Sequence, residues 1–203
     1  MKKTLPSLAA LACVALALSS PAAHAVSLTS VVDNGNVVDT SFSTESQISL
    51  DLSYFNSAPV TLTYTVSADD VLAGSVSFDA IVRQVAAGQN FNQITLGLTG
   101  GALFSLVGSA SSINNAVPVS AGTQGIFENL ALVAVAGSTN EAYLGDPLLE
   151  GATEWRIGFG TLQADQTFTL IVATQAPAVP EPATWALALG GLGLIARVAR
   201  RRA

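Results

Sequence analysis

Chemistry at neutral pH needs side chains that exchange protons, attack electrophiles or hold metals. This chain keeps most of them out of its central segment. Its one histidine, His24, its one cysteine, Cys13, its one methionine, Met1, and both lysines, Lys2 and Lys3, all lie ahead of Ala25. From Val26 onward there is no Cys, His, Met or Lys. That removes Ser-His-Asp and Cys-His catalysis, Ser-Lys dyads and lysine Schiff bases. It removes zinc and haem sites as they are commonly ligated, and it removes disulfides. No catalytic residue and no cofactor is assigned, and a non-enzymatic role is expected.

Carboxylates are what remains. Of the 14 acids, all but Glu181 fall between Val26 and Gln175, where Arg83 and Arg156 are the only bases, so 13 negative charges face two positive ones for a net of −11. Nucleic acid and anionic lipid surfaces are repelled by such a segment. Cations are attracted, although plain solubility explains the same charge. Asp33-Asn34-Gly35-Asn36 resembles half of a calcium loop, but the complete oxygen-ligand spacing is absent and a hairpin turn accounts for Asn34-Gly35. Asp146, Glu150 and Glu154, with Glu141 nearby, are weak calcium candidates or the raw material of a glycosidase carboxylate pair, and a solvated loop explains them equally. Asp69-Asp70 follows a strand pattern and reads as a cap or a solvent-facing pair. Trp155 offers a sugar-stacking platform, but its alternation with Ile157 and Phe159 places it in the core. Arg156, on the opposite face, is placed to bridge acids across strands. Tyr54 and Tyr64 fall at core-phase positions.

The elements that must carry these residues show a period of two. Val60 to Ser67 alternates apolar side chains with hydroxyls. Similar alternation runs through Ile48–Tyr54, Val76–Arg83, Ile94–Thr99, Trp155–Phe159 and Thr167–Val172, and Ala102–Ser109 and Ile126–Val135 are less regular candidates. Asn34-Gly35, Gly100-Gly101 and Gly122 supply turns, and no long helical period and no tandem repeat appear between the ends. Short strands between turn residues predict an all-β fold, a single antiparallel β-sandwich over 26–175. On that scaffold a carbohydrate-binding module and a calcium-dependent adhesion module are the alternatives to a structural role.

The two ends carry addresses. Lys2 and Lys3, the apolar run Leu5–Leu18, the break at Ser19-Ser20-Pro21 and Ala23-His24-Ala25 form a secretory signal peptide over 1–25, a helix cut by signal peptidase after Ala25. Cys13 is followed by apolar rather than polar residues and reads as part of that run, not as a lipidation site. At the other end, 176–182 is a Pro- and Ala-rich linker that stays extended. The uncharged run Ala183–Ala196 then meets Arg197, Arg200, Arg201 and Arg202 within 183–203, a transmembrane helix and basic tail. It is short for a bilayer core of about 30 Å unless Arg197 snorkels and the span extends to 199. The arginines stay cytoplasmic, the central segment lies on the far side, and Trp185 suits the outer interface.

Pro180-Glu181-Pro182, an apolar helix and terminal arginines together closely resemble the PEP-CTERM sorting domain of Gram-negative bacteria. The resemblance covers only the tail. It implies that Pro180, Glu181 and Pro182 are recognised by an exosortase, a membrane-embedded cysteine protease or transpeptidase. The helix and Arg197, Arg200, Arg201 and Arg202 would serve as the stop-transfer signal. It further implies removal of the tail, residence at the cell surface, in the outer envelope or outside the cell, and an association with exopolysaccharide and biofilm. The expected partners are signal peptidase, exosortase, the membrane through 183–199 at least transiently, and exopolysaccharide, with no nucleic acid.

Overall fold

Strands form where apolar and hydroxylated residues alternate. In the computed structural model, which describes residues 26–113, 116–124, 127–145 and 152–177, thirteen strands and one short helix are found. In chain order they are β1 (Ser27–Val32), β2 (Val37–Asp39), β3 (Gln47–Tyr54), β4 (Val60–Thr65), α1 (Ala68–Ala73), β5 (Ser75–Gln84), β6 (Phe91–Thr99) and β7 (Leu103–Leu106). These are followed by β8 (Ala110–Ser112), β9 (Val119–Gln124), β10 (Phe127–Thr139), β11 (Glu141–Leu144), β12 (Trp155–Gly158) and β13 (Thr167–Gln175). The signal-peptide helix with Ala23 and Ala25, and the tail with Pro180, Glu181, Pro182, Arg197, Arg200, Arg201 and Arg202, lie outside the described residues. No described helix is long and apolar enough to cross a membrane.

Two sheets result. The first has the order β1-β4-β13-β6-β10-β9. The second runs β2-β3-β5-β11-β8, with β12 beside the other half of β5 and β7 beyond β12. Their inner faces merge into one apolar core that draws Leu50, Leu52, Phe78 and Trp155 from the second sheet and Leu62, Leu96, Phe168 and Leu170 from the first. Full burial of each such side chain contributes about 1.5–3 kcal/mol. Of the polar tips buried with this core, those of Tyr54 and Trp155 are anchored to backbone, whereas the Tyr64 hydroxyl is buried without a hydrogen-bond partner. The Tyr54 hydroxyl donates across the sheets to the Val172 carbonyl at 2.7 Å. The Trp155 indole donates to the Ser109 carbonyl at 2.8 Å, while its ring meets Phe78 and Phe104 edge-on at centroid distances of 6.3 and 5.9 Å. Removing the fully buried Tyr54 and Tyr64 rings from water raises both phenol pKa values well above the ordinary range.

The expectation of a wholly antiparallel sandwich needs correction. β3 and β5 pair in parallel, from Gln47 opposite Ser77 to Tyr54 opposite Gln84. Parallel neighbours need a long crossover. Here the chain leaves β3, builds β4 in the first sheet, turns through α1 and returns as β5. Asp70 makes α1 possible by completing a capping box: its carboxylate accepts from the Ser67 backbone N–H at 2.8 Å, and the Ser67 hydroxyl accepts from the Asp70 N–H at 3.2 Å. Asp70 is therefore a buried cap rather than a solvent-facing acid. Strands β1, β2, β8, β9 and β11 escape the period-two reading. β2, β8 and β11 have only three or four residues, β1 is fully exposed, and β9 contains Gly122, which reads as a turn residue in the sequence.

Gly100, between β6 and β7, has φ of +81° and would bring a Cβ within 2.5 Å of the Thr167 carbonyl oxygen. Gly122 in β9 would bring its Cβ within 4 Å of nothing. Urea unfolding of the secreted protein should show Gly100→Ala destabilising by more than about 1 kcal/mol and Gly122→Ala staying within about 0.5 kcal/mol of the parent. Equal effects would contradict this backbone geometry.

Candidate functional site

β5 sends Val76, Phe78, Ala80 and Val82 into the core, so Asp79, Ile81 and Arg83 point to the outer side of the second sheet. Parallel pairing sets Ser49 of β3 beside Asp79 and Asp51 beside Ile81. Antiparallel pairing sets Glu141 of β11 beside Arg83 and Tyr143 beside Ile81. The result is a polar network built from three strands far apart in sequence.

Arg83 is its hub. Its Nε donates to Glu141 Oε1 at 2.9 Å and its Nη1 to Asp51 Oδ2. The Tyr143 hydroxyl donates to the same Glu141 oxygen at 2.7 Å. Partial burial works against the guanidinium charge, but the hydrogen bonds and charges of Asp51 and Glu141 outweigh it and raise the Arg83 pKa. Asp79, only 3% exposed, accepts from the Ser49 hydroxyl at 2.5 Å and from Gln47 Nε2. Phe42, on the loop before β3, stands at the rim. Phe42, Gln47, Ser49, Asp51, Asp79 and Arg83 line a cleft of about 450 Å³ with Ile81 and Tyr143.

The other candidates resolve differently. Asn34 and Gly35 do form a two-residue turn with φ of +54° and +85°, but it joins β1 to β2 in different sheets, so it is not a hairpin. Its amides hold a neighbouring loop: Asn34 Nδ2 donates to the Pro59 carbonyl at 2.8 Å, and buried Asn36 Oδ1 accepts from the Phe55 N–H at 2.9 Å. That clasp accounts for the sequence that looked like half of a calcium loop. Glu154 accepts from the Ser77 hydroxyl at 2.9 Å. Glu141 meets the far end of β5, at Arg83, roughly 20 Å away at strand rise. Asp146 and Glu150 lie outside the described residues. Among the described residues no group of three His, Cys, Asp or Glu could hold a metal.

Trp155 is 0% exposed and provides no sugar platform, as its alternation with Ile157 and Phe159 indicates. Arg156 is exposed; among the described residues the cation that bridges acids across strands is Arg83. Sequence inspection missed this because the partners stand 32 and 58 residues from Arg83. The available signal was that an isolated arginine on the wet face of a strand needs acids on its neighbours.

A double-mutant cycle on Arg83→Gln and Glu141→Gln, read by urea unfolding, should give a coupling of about 0.5–1.5 kcal/mol, between exposed and buried ion pairs. Additivity would place the two groups out of contact.

The chain's tail has a counterpart among known families. Residues 178–203 match the family model described as the PEP-CTERM protein-sorting motif. No curated protein and no solved structure matches the chain. The motif marks an exosortase-targeted extracellular protein of bacteria. This chain, two packed sheets followed by that motif, is a PEP-CTERM domain-containing protein.

Proposed function

We propose that the chain is a non-enzymatic surface or extracellular-matrix protein, processed at both ends and associated with exopolysaccharide in biofilm. Signal peptidase cuts after Ala25. The apolar stretch 183–199 and Arg197, Arg200, Arg201 and Arg202 hold the tail in the membrane while exosortase recognises Pro180-Glu181-Pro182 and removes it. The observation that carries this reading is the sorting motif at 178–203, which begins just beyond β13. A non-enzymatic role is supported by the residue inventory after Val26, which lacks the nucleophile–base pairs of common hydrolases.

The test is the intact mass of the protein recovered from the cell surface or medium, with and without exosortase. A chain starting at Val26 and ending near Pro182 only when exosortase is present is the expected result. A chain retaining Arg200 to Ala203 in both cells would make the tail an ordinary anchor. Processing also changes the spectrum. The chain has two tryptophans, Trp155 and Trp185, and loss of the tail leaves Trp155 alone. The processed protein should therefore show one blue-shifted emission shielded from acrylamide, as full burial of Trp155 requires.

A further inference from the structure

The cleft on the outer face of the second sheet combines features that one ligand class fits. Its fixed charges have both signs: Asp79 and Asp51 line it with Arg83, and Glu141 holds Arg83 from behind. An anion would face two carboxylates, and an organic cation would meet the guanidinium that already occupies the centre. A ligand without formal charge escapes both penalties and still finds donors and acceptors side by side. Arg83 uses Nε and Nη1 internally, and a guanidinium has five N–H donors, so donors remain for a ligand.

The rim supplies the apolar half. Phe42 is 63% exposed, and the loop that carries it is fastened to β3. The Ser43 hydroxyl donates to the Ser49 carbonyl and accepts from the Ser49 N–H, both at 3.0 Å, and the Thr44 N–H donates to the Gln47 carbonyl at 3.0 Å. A large ring is thus presented to solvent from a fixed support. Ile81 adds apolar surface beside it. The volume, about 450 Å³, is that of a small-ligand site.

We propose that this cleft binds a neutral saccharide, with Phe42 stacked on the apolar face of a sugar ring and the Arg83–Asp51 pair exchanging hydrogen bonds with its hydroxyls. Ring stacking and a charged pair of matched donor and acceptor suit a polyol, which presents C–H faces and hydroxyl edges at once. The proposal rests on the cleft alone and does not depend on how the tail is cut.

The test is affinity electrophoresis of the secreted protein in native gels cast with dextran, mixed-linkage β-glucan or galactomannan. Heparin and chitosan serve as anionic and cationic controls. At least one neutral polymer should retard the protein. Phe42→Ala should weaken that retardation about tenfold or more without lowering the thermal midpoint, since the ring is mostly in water. Asp51→Asn should weaken it too. Leu72→Ala, which removes an 86% exposed side chain on α1, should leave it unchanged. Retardation by none of the neutral polymers, by heparin or chitosan only, or equally in Phe42→Ala and Asp51→Asn, would overturn the proposal.

Discussion

β5 has a partner along both edges: β3 runs parallel on one side, and β11 and β12 divide the other. The alternation of its side chains feeds two structures at once. Phe78, Ala80 and Val82 build the core, while Asp79, Ile81 and Arg83 build the cleft. A slip of one residue in its pairing would exchange these sets. Arg83 and Asp79 would then point into the core, and Phe78 would be left in water. Strand register is strongly specified when one face is buried, and here the other face adds its own demand through the contacts of Arg83 with Asp51 and Glu141.

With no cysteine after the signal segment, no covalent cross-link can assist this arrangement. Cohesion comes from the fused inner faces of the sheets, with Tyr54 and Trp155 as large anchors whose polar atoms are satisfied by backbone carbonyls. Satisfying such atoms matters because an orphaned buried donor costs about 1–3 kcal/mol. The wet faces hold serine, threonine and acids, and the segment 26–175 carries 13 negative charges against two positive ones. The charge favours dispersal in water and discourages association with other anionic surfaces.

The strands with clean alternation were legible before any coordinates: β3, β4, β5 and β13 follow their sequence periods closely, and the core position of Trp155 followed from its phase. What remained hidden shares one property, dependence on contacts distant along the chain. β1 has no buried face and is a strand because β4 pairs with it. The parallel register of β3 and β5 follows from a chain path that crosses between sheets, which alternation cannot encode. The cleft needs Asp51, Arg83 and Glu141 brought together from three strands. Asp70 was legible as a cap candidate because capping is local, and the tail was legible because its signal is contained in a short stretch.

The last strand, β13, lies in the middle of the first sheet, between β4 and β6. In a chain that emerges N-terminus first, every other strand arrives before it. Until β13 arrives, β4 and β6 bound an open slot roughly 10 Å wide, two interstrand spacings, with unpaired backbone groups along both walls. Closure of the sheet is then an insertion of β13 between β4 and β6. The order of emergence thus leaves the first sheet in two parts until its last strand joins them.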